Sequence, residues 1–208
     1  RHSHMVPMRD GTRLATHVYL HPGDVEARPA LLFRSQYGKG TFEVEARLLG
    51  AGGYVTIVQD VRGLFESEGE VVELWDQGPD CYDMVAWIRE QPFCNGKVAM
   101  WGASYNGLIQ WMTADEGTAL DALAPTASWI LKPERLNFEQ MDFPAQHSVG
   151  YYDFLCRGSI YVCQQRQEHS ATAHSRENQQ LLFGPWSHAT GYPKVGDVDF
   201  GEIAEMDS

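Results

Sequence analysis

The stretch that most constrains this chain runs from Val98 to Met112. Four apolar residues, Val98-Ala99-Met100-Trp101, lead into Gly102-Ala103-Ser104-Tyr105-Asn106-Gly107. A run with helical spacing, Leu108-Ile109-Gln110-Trp111-Met112, leads out. A buried strand that turns at once into a helix leaves its serine at a sharp bend. A free hydroxyl is a weak nucleophile and needs a base on one side and oxyanion donors on the other. At such a bend it is open to both, and the N–H groups of the following helix point at the developing charge. A Gly-x-Ser sequence alone is equally an ordinary turn between strand and helix, so the reading depends on partners elsewhere in the chain.

The rest of the chain supplies a pattern for those partners. Val6 to Leu20 alternates apolar and polar residues around Arg9-Asp10-Gly11, which predicts an N-terminal hairpin. Pro29 to Phe33, Tyr54 to Val58, Leu120 to Pro125 and Gln180 to Gly184 are short apolar runs of the buried-strand kind. Phe42 to Leu49 and Asp80 to Glu90 read as helices, and Glu168 to Gln179 as a helix plus connector. Ser148 and Val149 lead into a turn at Asp153, and a polar loop spans Asp60 to Glu70. Strands alternating with helices predict an α/β fold, an open and mostly parallel sheet with helices on both faces. Residues 6–208 form one catalytic domain in this reading. Residues 1–5, Arg1-His2-Ser3-His4-Met5, read as an expression-tag remnant and are set aside from the fold.

Charge and cysteine usage narrow the function. A formal net charge of −12 argues against nucleic acid and anionic membrane as partners. No apolar run approaches a bilayer span. Cys81, Cys94, Cys156 and Cys163 form no C-x-x-C pair, so they read as buried thiols rather than a zinc site or a disulfide scaffold. There is no H-E-x-x-H and no tight His/Cys cluster. The expectation is no metal and no cofactor, with the cytoplasm as default location.

A serine nucleophile needs an imidazole, and the imidazole needs a carboxylate to fix its tautomer. Among the eight histidines, His188 follows the last apolar strand in the loop Gly184-Pro185-Trp186-Ser187. His147 is the second candidate base, although it precedes the acid. Asp153, in Gly150-Tyr151-Tyr152-Asp153-Phe154, is the acid that gives the order Ser, Asp, His; Asp142 is its rival. The Tyr105 backbone N–H is one oxyanion donor. The loop after the first central strand, Arg34 to Gly40, should hold the other, and Tyr37 offers a phenol there or simply packs on the sheet edge.

These residues resemble the bacterial cocaine-esterase and X-Pro dipeptidyl-peptidase family of α/β-hydrolases, which includes α-amino-acid ester hydrolases and glutaryl acylases. The matching blocks are Val6 to Gly11, Tyr37-Gly38-Lys39, Gln59 to Glu70, Trp87 to Trp111, Gly150 to Asp153 and Gly184 to His188. The resemblance implies Ser104 as nucleophile, Asp153 as acid, His188 as base, and Tyr37 and Tyr105 as the oxyanion hole. It leaves Asp60 to Glu70 as a structural block braced by Asp60 and Arg62. The implied activity is hydrolysis of acyl esters through an acyl-enzyme. An X-Pro dipeptidyl-peptidase or a β-lactam or amide acylase would use the same triad, and an inactive hydrolase fragment is the non-enzymatic alternative.

Departures from the family pattern are also legible. Asn106 stands at the fifth elbow position in place of glycine, and Tyr151 where tryptophan is usual. The family's helical cap, far longer than the interval between Ser104 and Asp153, is expected to be cut down to a remnant near 129–144. The family's final helix and C-terminal jelly-roll are expected to be absent. One sheet face should then be partly bare, covered by missing chain or by a second copy in a homo-oligomer.

Overall fold

The computed structural model describes residues 1–20, 26–115, 120–126, 136–188 and 191–205, without the side chains of residues 115, 122–126 and 203. Strands β1 (His2–Pro7) and β2 (Arg13–Tyr19) pair antiparallel around the predicted Asp10-Gly11 turn. β3 (Arg28–Ser35) is followed by α1 (Glu43–Ala51), and β4 (Val55–Asp60) by α2 (Gly78–Arg89). β5 (Cys94–Ala103) runs into α3 (Tyr105–Asp115). β6 (Ala122–Thr126) and β7 (Ala145–Gly150) follow, then α4 (Cys156–His169), α5 (Ala173–Glu177) and β8 (Gln179–Gly184). Among the described residues these strands form one eight-stranded sheet in the order β1-β2-β4-β3-β5-β6-β7-β8. Every pairing from β4 to β8 is parallel, and the antiparallel hairpin closes one edge.

The central strands are apolar on both sides because both faces are covered. Leu32, Ile57, Val98 and Met100 pack with Met84 and Ile88 of α2 and Ile109 and Trp111 of α3, while Val162 joins them from α4. Leu31, Phe33 and Val58 meet Ala46 and Leu49 of α1 on the other face. Each such side chain stabilises by about 1.5–3 kcal/mol on burial. Beyond α1 that second face carries an open groove lined by Leu31, Leu49, Tyr54, Ala99, Trp101 and Gln180.

Two elements differ from the sequence reading. Residues 2–5 do not stand apart from the fold: His2, Ser3, His4 and Met5 pair with Val18, His17, Thr16 and Ala15. A strand is held by its backbone amides, and these side chains are exposed, so no apolar alternation announced them. Within Glu168 to Gln179, read as helix plus connector, the helix is the short α5, and the longer α4 precedes it, mostly outside the sequence reading. Its inward face is Ser159, Val162, Cys163 and Arg166, too polar to read as a core stripe. Ser170 ends it at ψ 151°, and the Thr172 hydroxyl caps the short α5 by accepting from the Ser175 N–H. Of the expected cap remnant, residues 129–135 lie outside the described residues. From Leu136 onward the chain enters the core, with Phe138, Met141 and Phe143 buried. Among the described residues no helix is long and apolar enough to cross a membrane.

Candidate active site

The sheet delivers four of the candidate residues to its C-terminal edge, since Tyr37, Ser104, Asp153 and His188 each follow a strand end. The elbow itself is built from tight backbone. Ser104 sits at φ 53°, in the left-handed region that a non-glycine residue enters at a cost of about 1–3 kcal/mol. Its carbonyl accepts the first helical bonds, from Gly107 N at 3.0 Å and Leu108 N at 2.9 Å. The N–H groups of Tyr105 and Asn106 therefore begin the helix with no acceptor inside it.

Gly102, at φ 152°, must be glycine, because a Cβ there would lie 2.5 Å from the Asn106 Cβ. This contact also accounts for Asn106. The buried asparagine backs onto the surface of Gly102, so the missing side chain at 102 makes room for the side chain at 106. Gln110, buried one turn further, donates to the carbonyls of Gly102 (3.3 Å) and Asn106 (3.1 Å) and ties strand end to helix.

Asp153 and His188 meet across the ends of β7 and β8. Nδ1 of His188 lies 3.1 and 3.2 Å from the two oxygens of Asp153, whose side chain is fully buried. Asp153 also accepts from the Leu155 N–H at 2.9 Å, which fixes the carboxylate. The Phe154 ring covers the imidazole at 5.0 Å between centroids. The register places Gly150 opposite Gly184. Trp186 lies over both: a Cβ at Gly150 would fall 2.1 Å from its carbonyl oxygen, and one at Gly184 would fall 2.5 Å from its indole ring. Backbone bonds from Tyr151 N to Gly184 O (2.8 Å) and Tyr152 N to Trp186 O (2.9 Å) stitch the Asp153 loop to the His188 loop. The Trp186 indole N–H donates to the Ala204 carbonyl.

No hydrogen bond joins Ser104 to His188 among the described residues, so the structure brings Asp153 and His188 together without closing the contact to the serine. Such contacts are commonly loose in an empty site. Tyr37 is 45% exposed, and its ring meets that of Tyr105 edge-on at 6.2 Å. Burial pushes the Tyr105 phenol up to about 12, so that hydroxyl stays protonated.

The rival candidates occupy other places. His147 is buried on β7, stacked on Trp111 at 5.4 Å, with Nε2 3.2 Å from Gln179 Oε1. Burial lowers its pKa to about 4. Asp142 accepts from the Thr172 hydroxyl in the approach to α5. Cys81, Cys94, Cys156 and Cys163 are free thiols, and among the described residues no cluster of His, Cys, Asp or Glu is arranged to hold a metal.

Two groups that support the site escaped the sequence reading. Lys39 is buried under the Tyr37 loop, and Arg34 is fully buried at the end of β3. A basic residue beside Gly-rich loop sequence carries no burial signal, since lysine and arginine are rarely buried unless paired. Arg34 donates to Gln59 Oε1 (2.7 Å) and the Gln77 carbonyl (3.1 Å), with Asp80 at 3.8 Å. Arg62 bridges Asp80 (2.5 Å) and Asp10 (2.7 Å), which braces the 60–70 block as expected.

With this geometry in view, the comparisons with known proteins are specific. The sequence model of the X-Pro dipeptidyl-peptidase (S15) family matches residues 10–140. Cocaine esterase of a Rhodococcus species (strain MB1 Bresler) is 44% identical over 131 residues, covering 59% of this chain and 22% of that protein. The chain thus spans less than a quarter of that relative's length. Among solved structures, an aminopeptidase from a marine sediment Thaumarchaeota archaeon superposes with a TM-score of 0.78 at 19% identity, over 96% of this chain and 51% of the other. An α-amino acid ester hydrolase gives 0.74 at 18% identity, over 91% and 48%. At these identities the two structures speak for the α/β-hydrolase fold.

Proposed function

This chain belongs to the X-Pro dipeptidyl-peptidase (S15) family, and on that premise we propose that it is a serine hydrolase that cleaves carboxylic esters through an acyl-enzyme. The observation that carries the reading is the buried Asp153 carboxylate against His188 Nδ1, facing the same sheet edge as the strained Ser104 elbow. Asp153 holds the proton on Nδ1 and leaves Nε2 as the base. The Ser104 hydroxyl attacks the ester carbonyl carbon as its proton passes to His188. The carbonyl π electrons move onto oxygen, where the Tyr105 N–H and the Tyr37 hydroxyl donate. Collapse expels the alkoxide, which takes the proton from His188. Water repeats the sequence on the acyl-serine and releases the acid. The protein's part in the cycle is carried by side chains and a backbone amide, and the substrate is a small-molecule ester.

The ester reading is favoured over amide cleavage by a named relative: the 44% match is to an esterase, whereas the likeness to an aminopeptidase is at 19% identity. The test compares turnover of p-nitrophenyl acyl esters with that of Xaa-Pro anilides, each in the native chain and in Ser104→Ala. Ester turnover that vanishes in Ser104→Ala, with stoichiometric labelling of Ser104 by a fluorophosphonate, is the expected result. Preferential Xaa-Pro cleavage would move the assignment to the peptidase branch. Absence of both turnover and labelling would make the chain a silent hydrolase scaffold.

A further inference from the structure

Tyr37 presents a mismatch between ring and backbone. The ring is nearly half exposed, and its recorded ring contact is the edge-on approach to Tyr105. The backbone around it is clamped. Tyr37 N donates to Ser35 Oγ at 2.9 Å, and Thr41 Oγ1 donates back to the Tyr37 carbonyl at 2.9 Å. Two residues on, Lys39 occupies both oxygens of the fully buried Asp60: its backbone N–H donates to Oδ1 at 2.5 Å and its ammonium to Oδ2 at 2.7 Å. The ammonium also reaches Glu66 Oε2 at 2.6 Å. Gly38, between the two, lies at φ 89°, and a Cβ there would sit 3.1 Å from the Phe65 ring. Lys39 thus fastens the loop after β3 to the end of β4, through Asp60, and to the loop after β4, through Glu66.

Burying an ammonium in a surface loop is costly in desolvation, and a buried ion pair is weak evidence for stability. An apolar residue would fill the same space at lower cost. Among the described residues, Lys39 joins the Tyr37 loop to β4 by both its side chain and its backbone. Burial opposes the Lys39 charge, and the hydrogen bonds to Asp60 and Glu66 overcome it, so the ammonium is held above its ordinary value and stays charged.

We propose that Lys39 is the positioning residue for the Tyr37 hydroxyl, fixing the oxyanion donor by locking its loop onto Asp60. The inference rests on the reading of Tyr37 as an oxyanion donor. A positioned donor acts only in the transition state, so its loss lowers kcat and leaves KM nearly unchanged.

The test is a double-mutant cycle in the full chain, with a p-nitrophenyl ester as substrate. Tyr37→Phe should lower kcat by about 100-fold, the usual effect of deleting one oxyanion donor. Lys39→Met should lower kcat by roughly 30-fold in the native background, yet by less than about 3-fold when Phe already stands at 37, because coupled residues are not additive. Amide hydrogen exchange across residues 36–41 should accelerate in Lys39→Met while that of β3 and β4 stays protected. Gly38→Ala provides a second route that keeps the buried charge: it displaces the loop through Phe65 and should show the same non-additivity with Tyr37→Phe. Multiplicative losses, or an exchange pattern in 36–41 unchanged from the native chain, overturn the role of Lys39 while leaving Tyr37 in place. Native kcat in Tyr37→Phe instead removes the donor reading and the Lys39 role with it.

Discussion

On the β3–β4 side of the site, loops are fastened by buried charge; on the β7–β8 side they are fastened by contact. Lys39, Asp60, Arg62 and Asp80 share their hydrogen bonds among several partners, and the bonds run through long side chains. The acid and base loops have no comparable slack. Gly150 and Gly184 touch Trp186 where a single methyl group would overlap it, and backbone bonds between the loops leave no side chain to adjust. Distributed polar bracing tolerates small displacements because each group keeps other partners, whereas close packing transmits a displacement whole. The Tyr37 loop on the first side can therefore be tuned, and the Asp153–His188 pair on the second either forms or does not.

The sharpest way to break this contrast is at the two buried carboxylates. Asp153→Asn keeps the shape and loses the charge that selects the His188 tautomer, so kcat for ester hydrolysis should fall by about 10⁴-fold. Asp60→Asn alters only the brace under Tyr37 and should cost no more than the roughly 100-fold of a missing oxyanion donor. Steady-state kinetics on the two variants, with circular dichroism to show native folding, decides the matter. Equal losses would mean that the two sides are not distinct.

Gly150→Ala is the next largest, and it reads out in stability. The new methyl group must displace the Trp186 carbonyl, 2.1 Å from where the Cβ would stand. Overpacking against backbone with no room to relax should destabilise by about 3 kcal/mol or more in urea titration. Gly40→Ala, with nothing within 4 Å of the added atom, should stay within about 0.5 kcal/mol of the native chain. A mild Gly150→Ala would show that the β7–β8 side has slack after all.

Acid should separate the sides as well. His147 lies in the contact-held half, and burial, with a smaller push from the buried Arg166 cation, lowers its pKa to about 4 despite the Gln179 hydrogen bond. An unfolded histidine binds its proton near 6.5, so between pH 6.5 and 4 the unfolded chain carries more protons than the folded one. Stability must then fall as the pH drops through that window, by roughly 3 kcal/mol for the full shift. The charge-held half behaves differently. Glu66 is held below its ordinary value by the hydrogen bond from Lys39, so its contribution is present above about 4.5 and is lost only as pH falls further, through its lowered value. Hydrogen exchange at pH 5 should open β7, β8 and α4 before the 60–70 block. His147→Gln should flatten the pH dependence between 6.5 and 4, and an unchanged slope in that variant would assign the acid sensitivity to another group.

The unequal legibility of the two halves follows from the same physics. The elbow could be read because apolar strand and helix flank it, and Asp153 and His188 because each sits just past a strand end beside glycine. Their mutual contact at 3.1 Å is tertiary, and no spacing along the chain encodes it. Lys39 and Arg34 were not legible as buried residues, because their burial depends on partners such as Asp60, Gln59 and Asp80 that are remote in sequence. The hairpin was legible from Val6 onward, but its extension over residues 2–5 was missed because those side chains are exposed and carry no alternation, and α4 was missed because its inward face includes Arg166, which bonds to Ser170, Ser175 and the Phe143 carbonyl. Burial of a polar residue is decided by its partners, so a pattern of apolar spacing cannot reveal it.

The smallest expected effect marks where charge bracing ends. Arg13 and Glu68 form a short ion pair at the outer rim of the 60–70 block, with side chains 57% and 40% exposed. Arg62, one layer inward, is 13% exposed and bonds the nearly buried Asp80. Water screens the outer pair and competes for both partners, and the two long side chains lose freedom to hold it. Arg13→Ala should therefore leave the urea midpoint indistinguishable from that of the native chain, at low and at high salt alike. Arg62→Ala leaves the Asp80 carboxylate buried without its closest partner and should destabilise by about 3 kcal/mol. If Arg13→Ala were as costly as Arg62→Ala, the brace would extend to the surface as one network, and the loops on that side would be held as rigidly as those over Gly150.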